Sequence, residues 1–419
     1  MQTSSAPGAA VAAAELTALE AAVRADETAY LADLERLVNI DCGSYTPAGV
    51  DVVGQFVASF MAAHGARVRL VPDPAGRLGQ TVIGTWDGPH GTPGGPRVLL
   101  IGHMDTVFDP GTATERPFVI DADGIARGPG VTDMKSGLLA GLYAVKALVA
   151  AGPLPFERLT YVANPDEEIG SPSSTPHIRE IAAESDVCLV LECARANGDI
   201  VSSRKGILDA QVTVTGRAAH AGVEPEKGRS AILAAADLVT RLHALNGRWD
   251  GVTINVGVID GGTRPNVVAE RCSFEVDVRA IRRADLEAAE AEIRSMLGSL
   301  VVPDVSAELE PMAQWWPMEK LERSGRLVEH AQAVARRLGF EVRDAATGGA
   351  SDANTTSGMG VASIDGLGPV GGMDHSPAEY LDVASIVPRT TLLAGLLLAI
   401  GRDPVVAEWR AAGPVVGGA

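Results

Sequence analysis

The apolar pattern of this 419-residue chain changes character near residue 206 and changes back near residue 311, and that double switch constrains its architecture most. Before the switch, helices and buried-type strands alternate. Leu16, Leu19, Val23, Leu31, Leu34 and Val38 recur at helical spacing over residues 13–39, and residues 52–64 form a second helix. Strands follow at 67–71, 81–86 and 97–101, with a Pro/Gly-rich loop at 88–96. An apolar helix at 135–150 precedes strands that end at Glu167 and Glu192. Such alternation implies a doubly wound, mostly parallel sheet.

Residues 207–215 instead alternate as Leu208, Ala210, Val212, Val214, the period of an antiparallel strand with one solvated face. A helix at 229–246, strands at 252–258 and 273–279, a helix at 283–297 and a short strand at 306–309 complete a β-α-β-β-α-β order. That is the ferredoxin-like split unit. Helices resume at 325–338 and 383–400, with a strand at 361–365 between them. The expected organisation is an α/β catalytic domain of residues 1–205 and 312–419, interrupted by an α+β domain at 206–311. A chain of this length accommodates two cores.

At the ends of the buried strands stand side chains of metal-ligand type. His103 and Asp105 close the run from Val98, Glu167 and Glu168 follow the run from Thr160, and Glu192 ends the run from Val187. Asp133 lies in a loop between Gly130 and Gly137, and His375 in a loop after Gly372. Strand ends are where α/β proteins build their sites. Two adjacent carboxylates after an apolar strand repel one another and call for a cation or a shared proton. A two-metal hydrolase needs oxygen donors, imidazole and one bridging carboxylate. His103, Asp133, Glu168, Glu192 and His375 supply that set. Glu167 is left over as a general base, and Asp105 is placed to accept the other imidazole N–H of His103.

Composition narrows the partners. The formal charge is −18, from 53 acidic and 35 basic residues, which argues against binding nucleic acid through its phosphates. Cys42, Cys188, Cys193 and Cys272 have no CxxC or disulfide-scaffold spacing and read as reduced thiols. The start lacks the basic region and long apolar core of a signal peptide, and the runs at 9–14 and 392–400 are too short to span a bilayer. The expectation is a soluble cytoplasmic protein with no membrane partner and frayed Ala/Gly-rich ends.

The strings Gly102-His-Met-Asp-Thr-Val107, Gly128-Pro-Gly-Val-Thr-Asp-Met-Lys-Ser-Gly137, Asp166-Glu-Glu-Ile-Gly-Ser171 and Gly372-Met-Asp-His-Ser-Pro377 resemble one family of di-zinc amidohydrolases. That family includes acetylornithine deacetylase, succinyl-diaminopimelate desuccinylase, aminoacylase and glutamate carboxypeptidase. The similarity runs from about Leu31 to Gly401. The glutamate carboxypeptidase branch is also resembled through Thr215-Gly-Arg-Ala-Ala-His-Ala-Gly222, Thr347-Gly-Gly-Ala-Ser-Asp352 and Ala378-Glu-Tyr-Leu-Asp382.

The resemblance implies two Zn2+ per chain, with Co2+ or Mn2+ as substitutes. It assigns His103 and Glu192 to one ion, Glu168 and His375 to the other, and Asp133 to both, with a cis peptide after Asp133. Glu167 would deprotonate the attacking water. The inserted domain becomes a lid and homodimer interface, from which His220 would reach the partner subunit's oxyanion. Asn266 would contact substrate, and Arg279 would grip the substrate carboxylate together with the N–H groups of Gly348 and Gly349. His220 and Arg279 also have plainer readings, as a lid-surface residue and an edge-strand charge.

The chain departs from the branch at Glu310-Pro-Met-Ala-Gln-Trp-Trp-Pro317, where a Gly-Arg-Pro-type segment would carry a further arginine. Trp315 and Trp316 either shape a pocket for an apolar or aromatic group or pack between domains. Arg204 and Lys205 either replace the missing arginine or face solvent. The function implied is zinc-dependent hydrolysis of an amide or peptide bond next to a free carboxylate, as a carboxypeptidase or an N-acyl amino acid acylase. The alternatives are an amide-forming enzyme on the same site or a non-catalytic binding protein.

Overall fold

The computed structural model describes residues 11–87 and 91–409; the ends expected to fray and part of the 88–96 loop lie outside them. The chain divides into two compact units. One comprises the chain up to Ser202, Lys320–Ala346 and the chain from Ser351; the other comprises Ser203–Glu319 and Thr347–Ala350.

The first unit is built on a six-stranded sheet in the order Arg67–Val71, Thr81–Trp86, Arg158–Asn164, Arg97–His103, Val187–Val190, Ala362–Ile364. The last four strands run parallel, and the first two join antiparallel at one edge. Arg97–His103 and Arg158–Asn164 are buried at every position after the first, the near-continuous apolar run expected of strands covered on both faces. Helix Ser136–Ala151 packs against Arg97–His103, and helix Ile386–Gly401 packs against helices Ser136–Ala151, Glu322–Leu338 and Ala13–Ala25.

Two helical segments, Val131–Ala151 and Val383–Gly401, have the length and apolarity to cross a membrane, but 78% of each apolar window is buried within the fold. They serve as core helices. All four cysteines are free and buried.

The second unit is a four-stranded antiparallel sheet in the order Thr253–Gly261, Arg271–Ala280, Gly206–Thr215, Ser306–Trp315. Burial alternates strictly along Gly206–Thr215 and Arg271–Ala280. The buried faces meet helices Ala231–His243 and Arg283–Leu297 around Phe274, Leu238 and Ile293. The fold class is thus the α/β plus ferredoxin-like α+β combination that the periodicity predicts.

The structure departs from the sequence reading in several elements, two of which are instructive. The first helix is two, Ala13–Ala25 and Glu27–Val38, broken at Asp26; its apolar spacing continues across the break, so periodicity alone does not reveal it. The short strand at 306–309 extends to Trp315. Pro311 sits in it at a register shift on the sheet edge, a position where proline is tolerated.

Candidate metal centre

The parallel strands Arg158–Asn164, Arg97–His103 and Val187–Val190 are neighbours, so their carboxyl ends deliver Glu167 and Glu168, His103 and Glu192 to one place. Asp133 comes from the segment Val131–Lys135 that opens helix Ser136–Ala151, and the Asp133–Met134 peptide is cis, as the resemblance implies. His375 arrives on the loop after Gly371–Gly372. A Cβ on Gly371 would lie 2.1 Å from the Thr132 hydroxyl and 2.4 Å from the Tyr380 carbonyl, so only glycine lets this loop approach the Asp133 segment. Met373 and His375 then adopt left-handed φ values of 61° and 60° that turn the imidazole inward.

The result is an ordered set of contacts. Asp133 Oδ1 lies 3.1 Å from His103 Nε2, and Asp133 Oδ2 lies 3.1 Å from His375 Nε2. His103 Nε2 also faces Glu192 Oε1 at 3.7 Å, while His375 Nε2 faces Glu168 Oε2 at 3.0 Å. Donor atoms of His103, Glu167 and Glu192 fall within 4.8 Å of one another, and so do those of His103, Asp133 and Glu168. Distance alone would allow Glu167 as a ligand. The split of Asp133 between two histidines, each with its own second carboxylate, makes the neater division and leaves Glu167 over.

Asp133, Glu167, Glu168 and Glu192 give the cluster twice as many carboxyl groups as imidazoles. Carboxylates and imidazoles in this ratio suit borderline and hard divalent cations. The charges follow this crowding. Burial works against charge on Asp133, but His103 and His375 overcome it and hold the carboxyl below its usual range. Burial, opposed by His103 and reinforced by Glu192 and Glu168, holds Glu167 well above the carboxylate range. Hydrogen bonds to Asp133 and Glu168 push His375 up to about 10 against partial burial.

Asp105 does more than its place in the sequence foretold. Its Oδ1 lies 3.4 Å from His103 Nδ1, whereas its backbone carbonyl lies nearer, at 3.0 Å. The carboxylate also accepts the backbone N–H groups of Glu167 (3.1 Å) and Glu168 (3.2 Å) and the Ser44 hydroxyl (2.6 Å). It ties the histidine strand to the turn that carries both glutamates.

A sequence profile of the family described as Peptidase family M20/M25/M40 matches residues 99–399. Carboxypeptidase G2 of Pseudomonas sp. (strain RS-16) is 30% identical over 382 residues, covering 90% of each chain. This chain belongs to the M20/M25/M40 peptidase family. Succinyl-diaminopimelate desuccinylase of Leptothrix cholodnii is 27% identical over 355 residues, covering 79% of this chain and 89% of its own. The fold is shared with the aminopeptidase PepT of Bacillus cereus, at a TM-score of 0.74 and 22% identity over 90% of this chain and 99% of that one. It is shared too with the M20 metallo-carboxypeptidase Sso-CP2 of Sulfolobus solfataricus, at 0.70 and 16% over 89% and 99%. Like its family, the chain is a metallohydrolase of amide bonds.

The remaining candidates of this M20 enzyme lie in the second unit. His220 and Asn266 are exposed and sit on paired segments: His220 bridges Val267, and Ala221 N–H donates to the Asn266 carbonyl at 3.0 Å. Arg279 is half-buried, held bidentately by Asp277 at 2.9–3.2 Å, and donates to the Gly348 carbonyl at 2.9 Å. Gly349 accepts from Arg204 at 3.1 Å. Arg204 is only 5% exposed, which corrects the solvent-facing reading. Trp316 packs on the second unit's own core and under Arg283, whose guanidinium lies 4.1 Å from the ring centroid.

Sequence reasoning missed Glu379. Its buried carboxylate accepts the N–H groups of Gly130, Thr132 and Asp133 at 2.9–3.1 Å, and burial pushes it up to about 7 despite those bonds. A single Glu in the Ala378–Asp382 string carries no signal of that role; its partners are some 250 residues away in sequence.

Proposed function

We propose that this M20 enzyme binds two zinc ions per chain and hydrolyses an amide or peptide bond next to a free carboxylate on a small substrate. The observation that carries this reading is the Asp133 carboxylate presenting one oxygen to each of two histidines. In this reading His103 and Glu192 would hold one ion, Glu168 and His375 the other, and Asp133 would serve both. When bound, the ions supply Lewis-acid polarisation of the scissile carbonyl and ease the deprotonation of water. Glu167 takes that water's proton on a carboxylate oxygen and delivers it to the leaving nitrogen.

Arg279 binds the substrate carboxylate, with its planar fork aimed by Asp277. Asn266 and the backbone N–H groups of Gly348 and Gly349 contribute further polar contacts. A Cβ on Gly348 would meet open space, so nothing inside the fold crowds that backbone. The enzyme acts as a cytoplasmic homodimer, with His220 stabilising the oxyanion in the partner subunit. Support for dimerisation comes from the long edge strand Thr253–Gly261, which exposes Val258 (53%) and Ile259 (54%) beside an unpaired ladder edge.

The test compares wild type with Glu167→Ala for metal content and turnover on N-acyl amino acids and C-terminal dipeptides. Two zinc ions should remain in both proteins, and the variant should lose about 10²–10⁴-fold in kcat. Full occupancy with no turnover of any carboxylate-bearing amide by wild type would reject the reading.

A further inference from the structure

The Glu167–Glu168 turn is gripped from two sides, and only one grip comes from the strand that carries His103. Asn164, the last residue of strand Arg158–Asn164, and Ser171, just beyond the turn, bracket the six residues that carry both glutamates. Both donate to one carboxylate far away in the chain. Asn164 Nδ2 donates to Asp352 Oδ2 at 2.7 Å, and Ser171 Oγ donates to Asp352 Oδ1 at 2.7 Å. Asp352 is 1% exposed and opens the helix Asp352–Gly358. Ser351 caps that helix through Ala353 N–H and is itself tied to Asp365 at 2.6 Å. The acceptor therefore sits on an anchored element.

A carboxylate this buried, held among the described residues by an amide and a hydroxyl, is a poor choice for stability alone, since a well-packed apolar group serves a core better. Its geometry does what an apolar group could not. The two oxygens of one rigid group set the separation of Asn164 and Ser171, and hence the path of the chain between them. In and just beyond that span Ser171 takes a left-handed φ of 54°, Ser171 N–H donates to the Asp166 carbonyl at 2.8 Å, and the Asp166 carboxylate takes Ser173 N–H and the Ser174 hydroxyl at 2.6 Å each. Asp105 grips the same turn at the Glu167 and Glu168 N–H groups.

We propose that Asp352 is a positioning residue: by fastening both ends of the 164–171 turn, it sets where Glu167 meets the attacking water and where Glu168 meets its metal. This rests on the roles assigned above to Glu167 and Glu168. Because the same turn carries a base and a ligand, loosening it must disturb the metal environment as well as the rate. A purely structural residue would lower the melting temperature and leave both untouched in the protein that remains folded.

The experiment prepares Asp352→Ala, Asp352→Asn and Ser171→Ala, loads each with Co2+, and records the visible cobalt spectrum, kcat, KM and melting temperature. Asp352→Ala should lose about 100-fold in kcat, the scale of a roughly 1 Å misplacement. KM should stay within about threefold, because substrate grip lies elsewhere. Asp352→Asn, which keeps one acceptor, and Ser171→Ala, which removes one donor, should show smaller losses in the same direction with a shifted cobalt spectrum. They carry the test if the alanine variant does not fold. Unchanged kcat and an unchanged spectrum at lowered stability would overturn the proposal. Should wild type hydrolyse no amide, the reading of function falls, and the cobalt spectrum alone decides the role of Asp352.

Discussion

His375 shows how one residue couples proton and metal. Its imidazole is 56% exposed, yet Asp133 and Glu168 push its pKa up to about 10 in the metal-free protein. A pKa raised on folding contributes stability that is full below the unfolded value of about 6.5 and is lost as pH rises through about 10. Metal must displace the same proton. Affinity should therefore rise with pH through the neutral range while the metal-free protein loses stability. Calorimetry in buffers of differing ionisation enthalpy should record proton release on zinc binding. A flat affinity between about pH 6 and 9, with no release, would contradict the assignment of His375 as a ligand.

Helices and strands position these residues through contacts so close that single methyl groups matter. A Cβ on Gly137, in helix Ser136–Ala151, would fall 1.9 Å from the Leu191 carbonyl, next to Glu192. Gly137→Ala should lose about 1–3 kcal/mol in urea denaturation, because overpacking outweighs the better helix propensity of alanine. The control is Gly325→Ala in helix Glu322–Leu338, where the added methyl meets nothing within 4 Å. That variant should gain about 0.5–1 kcal/mol. Equal effects of one sign at both sites would show that packing of the helix against the Glu192 strand is looser than described.

At the scale of the whole molecule, the proposed dimer makes each site depend on a partner's histidine. His220→Ala should lose turnover and keep its metal. Mixing inactive His220→Ala with inactive Glu167→Ala under subunit exchange should restore activity, since one site of each hybrid then has both groups. No recovery in hybrids shown to form would reject the crossing role of His220. A charge on the exposed edge strand, as in Ile259→Asp, should shift the protein to monomers in sedimentation and reduce activity in parallel.

Much of this was legible in the sequence, for a physical reason. Hydrophobic period follows from burial geometry, so the parallel sheet, the α+β insertion and the placing of His103, Glu167, Glu168 and Glu192 at strand ends could be read directly. The strand read at 306–309 runs on through Pro311 to Trp315, since proline is tolerated on a sheet edge. The pairing of buried polar groups was not legible. Asp352 meets Asn164 and Ser171 across 188 and 181 residues, Glu379 meets the Asp133 segment across 246 or more, and Arg204 turns inward to Gly349. Sequence determined which donors the chain owns and which ends of which strands carry them. Tertiary structure alone decided which acceptor each one meets, because that depends on close approach between elements remote in the chain, and a local pattern holds no record of it.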